Sequence, residues 1–156
     1  MCFMRLLPIL MIVCLSINSA NSGVFNGIDE QLLEAKVVDE NYKYIDEPKA
    51  YDLFRYVTNT VASMLPMKFN SYTEGEAVLF TPYVGNYFYK IDILLTDENK
   101  DLLRREYTNV TFIKNLCESL YDAKFQRANN FKFNLIYNDI EGKNIARVKL
   151  NRSICP

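Results

Sequence analysis

Four cysteines and nineteen carboxylates are the groups in this chain whose chemistry could define it, and histidine is absent. That absence removes the commonest general base, the Ser–His and Cys–His nucleophile pairs, and most zinc sites. The five glycines are scattered at turns and form no phosphate-cradling loop. Two turns carry clustered acids, "DEN" at residues 97–99 and "NDIEG" at residues 138–142. Neither has the ligand spacing of a calcium loop, so they read as a helix start and a solvated turn. A carboxylate acid–base pair could be any two of the nineteen acids, and spacing selects none. No catalytic residue, metal ligand or cofactor follows from the sequence.

The cysteines are more informative once the N-terminus is read. In "MCFMRLLPILMIVCLSINSANSG", Arg5 precedes an apolar run over residues 6–17, broken by Pro8 and Ser16. About a dozen apolar residues cannot cross ~30 Å of hydrocarbon. Their length and flanks are those of a secretory signal peptide. Ala20 and Ser22 are small residues at the −3 and −1 positions, which puts cleavage before Gly23; cleavage after Ala20 is the neighbouring choice. A lipoprotein anchored through Cys14 needs a small residue before that cysteine, and Val13 stands there. Residues 1–22 are therefore expected to be a signal peptide and the mature chain periplasmic or secreted.

Cys2 and Cys14 leave with that segment, and Cys117 and Cys155 remain. In an exported chain such a pair is expected to form a disulfide. The bridge would close a loop of about 39 residues, for which restriction of the unfolded chain is worth about 4 kcal/mol. The role is structural.

Cleavage leaves about 134 residues, enough for one domain with a core, and a charge of about −2. With no basic cluster in the sequence, nucleic acid is not an expected partner. No second apolar run is long enough to span a membrane, so no membrane span is expected after cleavage.

The elements that would position any site follow from periodicity. Residues 23–46 have no clear period and read as a loosely docked N-terminal arm, with a short helix through Ile28, Leu32, Leu33 and Ala35 as one reading. From Pro48 a stripe of Ala50, Leu53, Phe54, Val57, Val61, Met64 and Leu65 marks an amphipathic helix that ends at Pro66. "MKFNSYT" and "AVLFTPYV" read as strands, and Gly85-Asn86 as a reversal before "YFYKIDILL". Thr96 caps a helical pattern running through Leu102, Leu103, Tyr107, Phe112, Ile113, Leu116 and Leu120. The β-branched and capping residues of "YTNVT" should break it in two. Alternation in "FKFNLIYNDIEGKNIARVKLN" predicts two strands around a turn at Glu141, Gly142 and Lys143. The whole of residues 47–156 is thus expected to be a single α+β domain: an antiparallel sheet with helices packed on one face, stapled by the disulfide.

This layout resembles small exported bacterial α+β proteins of the quorum-sensing-regulated virulence-factor-like kind. The resemblance covers about residues 47–156 and rests on "MLPMKFNSYT", the tyrosine-rich strand, "FNLIYNDIEGKNIARVKLNRSIC" and the two cysteines. It implies an exported α+β protein and supplies no catalytic residue. A weaker resemblance is to secretion-system pilotins, which combine a small α+β body with a disulfide and are typically lipidated.

The expected function is that of a non-catalytic accessory protein that binds another protein in the cell envelope or outside the cell. An inhibitor or immunity-type protein is one alternative, and a small carboxylate-dependent hydrolase another. Tyr83, Tyr87, Phe88 and Tyr89 cluster in one hairpin, where rings either fill the core or face a partner. Alternation puts Phe88 opposite Tyr87 and Tyr89, and Tyr83 lies beside the turn. Tyr83 and Phe88 are therefore the candidate protein-binding residues.

Overall fold

The computed structural model describes Phe25 and residues 27–156, so the predicted signal peptide and both cleavage positions lie outside the described residues. Among the described residues the chain forms α1 (Ile28–Glu34), α2 (Glu47–Ala62), β1 (Met67–Lys68), β2 (Thr73–Phe80), β3 (Val84–Ile91), α3 (Asp97–Tyr107), α4 (Val110–Leu120), α5 (Lys124–Ala128), β4 (Lys132–Asp139) and β5 (Asn144–Leu150).

Local chemistry accounts for the helix boundaries. The Asp46 side chain accepts the Lys49 N–H at 3.1 Å and Pro48 occupies the first turn of α2, whose buried face is Ala50, Phe54 and Val57. Thr96 caps α3 in the same way, with Asp97 and Glu98 at the positive end of the helix dipole. The break predicted at "YTNVT" occurs at Thr108 and Asn109. Asn109 stops one helix and starts the next, accepting the Phe112 N–H at 2.8 Å and donating to the Glu106 carbonyl at 2.8 Å.

The five strands lie in the order β1-β2-β3-β4-β5. Neighbours are antiparallel except at the centre, where β3 and β4 run parallel with Val84 opposite Lys132 and Ile91 opposite Asp139. The class is α+β as expected, but the sheet is mixed rather than wholly antiparallel. A tight turn can only reverse a strand. The connection from β3 to β4 instead carries α3, α4 and α5 across one face and returns the chain to the end where β3 began.

The core lies between that helix layer and one face of the sheet. Phe80 on β2, Tyr87 and Ile91 on β3, Phe133, Leu135 and Tyr137 on β4, and Ala146, Val148 and Leu150 on β5 are all buried on it. The arm is part of this core, which corrects the expectation of loose docking. Phe25, Ile28, Leu32, Val37 and Val38 are buried, Leu32 completely. The Asp29 carboxylate also holds α5, accepting the Lys124 and Phe125 N–H groups at 2.7 and 3.0 Å. Periodicity misses this because a short helix, a left-handed Lys36 and an isolated Val38–Tyr44 bridge follow each other within a few residues.

Two ties secure the C-terminal hairpin. Cys117 on α4 is bonded to Cys155 beyond β5, with Cα atoms 5.3 Å apart. Of the two carboxylates in the "NDIEG" turn, Asp139 is buried rather than solvated, while Glu141 is exposed as expected. Asp139 accepts the Glu141 and Lys143 N–H groups on one oxygen and the Lys100 ammonium on the other, at 2.7 Å. That ammonium and the two N–H groups hold the Asp139 carboxyl below the usual carboxylate range.

Candidate functional site

Since the described helices occupy one face of the sheet, alternate strand residues point to the other face, which no described element covers and which is called the open face. The pairing registers arrange those residues in rows. One row runs Ala77, Phe88, Ile136, Arg147 from β2 to β5, and the next runs Leu79, Asn86, Asn134, Lys149. A third contains Val84 and Lys132, and a fourth runs Glu74, Lys90, Asn138, Asn144.

Phe88 is thus at the middle of the open face, half-buried between Ala77 and Ile136, while Tyr87 and Tyr89 lie on the core face. Leu79, 50% exposed, stands diagonally beside it. Across the neighbouring row the Asn134 amide donates to the Asn86 side-chain oxygen at 2.9 Å.

Tyr83 sits elsewhere. It lies in the turn between β2 and β3, its ring edge-on to Tyr44 at 5.5 Å and its hydroxyl donating to Glu47 at the start of α2. The Tyr44 hydroxyl in turn donates to the Pro82 carbonyl at 2.8 Å. The fold therefore does not bring the two sequence candidates onto one surface patch: Phe88 belongs to the open face, and Tyr83 ties the β2–β3 turn to the arm and α2. Sequence reading missed Leu79, Ile136, Arg147 and Lys149. Alternation within each strand already set them opposite the core residues, but which strands are neighbours, and in what register, is invisible to a period-two pattern.

The core-facing tyrosines form a stacked column. Tyr87 stacks on Tyr89 at 6.1 Å, Tyr89 on Tyr137 at 4.9 Å, and Tyr137 on Tyr107 at 4.2 Å. Burial pushes the hydroxyls of Tyr87, Tyr89, Tyr107 and Tyr137 above the usual tyrosine range. The hydrogen bond to Glu47, helped by partial burial, pushes Tyr83 up to about 12. Folded values above the unfolded value of ~10 mean that these groups favour the native state fully below pH ~10. That contribution is lost as pH rises through the raised values. The urea midpoint should therefore fall as pH passes ~10, in step with tyrosinate absorbance. Tyrosines that titrate near their ordinary value with no loss of stability would contradict the buried column.

Among the described residues no three His, Cys, Asp or Glu side chains gather to hold a metal ion. Among the same residues no helix is long and apolar enough to cross a membrane.

No family model matches the chain, and no curated protein matches it either. Among solved structures the fold is similar to that of a Pseudomonas aeruginosa protein described as secreted. The TM-score is 0.52 over 72% of this chain and 97% of that one, at 6% identity. The pilotin of the Vibrio vulnificus type 2 secretion system superposes with a TM-score of 0.48 over 70% of this chain and 94% of that one, at 11% identity. At such identities the likeness is one of fold.

Proposed function

We propose that the mature chain is an exported accessory protein, periplasmic or secreted, that acts by binding another protein through the open face of its sheet and catalyses no reaction. The observation that carries this reading is the one-sided helix layer. It leaves Leu79, Phe88 and Ile136 grouped on a face where Leu79 is half exposed and Phe88 and Ile136 are half-buried. A sheet face with an apolar centre is a ready contact surface, and aromatic residues are enriched at interfaces. The export of the chain rests on the character of residues 1–22 and on the disulfide between Cys117 and Cys155.

The test uses the mature protein as bait on envelope and medium fractions of its own cells, beside a Phe88→Asp variant. Phe88→Asp should cost about 1 kcal/mol of stability through strand propensity and lost packing. It should weaken retention of a specific partner by about 2 kcal/mol or more if Phe88 is a hot spot. A partner held equally well by both proteins would remove the open face from the function. Tyr83→Phe serves as the contrast, because it deletes the bond to Glu47 without touching the open face.

A further inference from the structure

The charges on the open face are distributed unevenly. On the β2–β3 side Lys90 is answered by Glu74, Glu76 and Asp92 at 3.3, 3.6 and 4.0 Å. On the β5 side Arg147 closes the Phe88 row and Lys149 closes the Asn86–Asn134 row. Lys132 adjoins Val84 in the row beyond, and Arg152 follows at the end of β5, where a shallow depression is lined by both Lys132 and Arg152. All four cations are exposed, and among the described residues none is within 4.0 Å of a carboxylate. In a chain of net charge −1, a strip of four unanswered cations is a local excess.

We infer that the occupant of the open face is an acidic amphipathic protein segment, with its apolar side chains on Leu79, Phe88 and Ile136 and its carboxylates along Lys132, Arg147, Lys149 and Arg152. The inference rests on the open-face reading above and adds the partner's chemistry to it. Arg147 and Lys149 lie two residues apart on one strand face, so they repel each other until an anion is placed between them. An acid brought there as the apolar centre sheds its water gains more than it would in bulk solvent, because the local dielectric falls. The Asn86–Asn134 bond occupies one amide group of each residue. The Asn86 NH2 and the Asn134 oxygen have no partner among the described residues, so a donor and an acceptor are left facing a peptide. A protein segment fits better than a lipid surface, because Val84, Phe88 and Ile136 are half-buried between strand neighbours and form a seat rather than a projecting wedge. Cations on an edge strand also discourage strand pairing, so a test must separate solubility from recognition.

The test is selection of binders from a random peptide display library on the wild-type protein. Recovered peptides are assayed against Phe88→Asp, Arg147→Glu with Lys149→Glu, and Arg147→Gln with Lys149→Gln, each checked for an unchanged fold by thermal melting. The expected binders combine Asp or Glu with Leu or Phe. They lose affinity about tenfold or more with charge reversal, less with neutralisation, and progressively with added salt. Peptides lost on Phe88→Asp but free of acid enrichment, and indifferent to both charge variants, would overturn the acidic segment and leave the open-face reading standing. Binders indifferent to Phe88→Asp would overturn both. Recovery of no peptide, with phosphatidylglycerol vesicles bound and then released by charge reversal, would assign the strip to lipid and overturn the inference.

Discussion

Phe25→Ala should cost about 3–5 kcal/mol, the range for truncating a core phenylalanine, and should leave the protein partly unfolded in mild urea. The ring is 4% exposed, and its centroid lies between 5.4 and 6.0 Å from those of Phe54, Phe80, Phe125, Phe131 and Phe133. Those rings come from α2, β2, α5, the approach to β4, and β4 itself. Phe25 therefore joins the arm to the helix layer and the sheet at one point. Edge-on pairs add to the area term, and stiff aromatic walls cannot close on the space a methyl group leaves behind. Urea unfolding with an unchanged denaturant slope measures the loss, with Ile45→Ala at an exposed position as the neutral control. A loss below about 1 kcal/mol would mean that the arm does not carry this ring into the core. The position also bears on processing. Cleavage before Gly23 or after Ala20 retains Phe25, whereas removal of a few residues more would delete the ring on which several elements meet.

The variant Cys117→Ser with Cys155→Ser should keep the fold and lose about 2–5 kcal/mol. The bridge spans a sequence separation of 38 and joins α4 to the segment beyond β5. Without it the unfolded chain regains loop freedom, and the C-terminal end is held by the ladder from β5 to β4, by packing and by the Arg127 guanidinium donating to the Pro156 carbonyl at 3.2 Å. The strand at risk is the one that carries Arg147 and Lys149, so fraying there should also weaken any partner held by the cation strip. Thermal melting with and without reductant measures the effect in the native protein. Thiol titration of exported protein should find Cys117 and Cys155 unreactive until it is denatured and reduced. Two freely reactive thiols in the native state would rule the bridge out.

Several parts of the fold were legible residue by residue. The stripe through Ala50, Phe54 and Val57, the cap at Thr96, the break at "YTNVT" and the strand alternation around Glu141, Gly142 and Lys143 are each encoded within a few positions. Helix and strand periods, caps and turns depend on neighbours along the chain, so a sequence can display them. The cysteine pair was legible for a different reason: reading the N-terminus as an export signal makes a bridge the expected state of two remaining cysteines.

The candidate site was only half legible. Alternation set Phe88 against Tyr87 and Tyr89, and the fold does place them on opposite faces. Tyr83 was a candidate only for its place beside the turn, and the structure sets its ring against Tyr44 and its hydroxyl on Glu47, away from the Phe88 row.

What the sequence by itself determined is the class of the protein, an α+β succession of helices and strands with a cysteine pair and no histidine, but not every bound: the reversal expected at Gly85-Asn86 lies at residues 81–83, and both residues are inside β3. What only the tertiary structure decided is which strands are neighbours, in what direction they run, and what covers them. A helical crossover made β3 and β4 parallel, the arm closed over the core, and the rows ending in Arg147 and Lys149 came into register on a face that no described element covers. The physical reason is the range of the interactions. Caps and periods act over a few residues, whereas strand order and face coverage are set by burying apolar surface among segments from Phe25 to Leu150, and the total burial selects the arrangement without any local pattern announcing it.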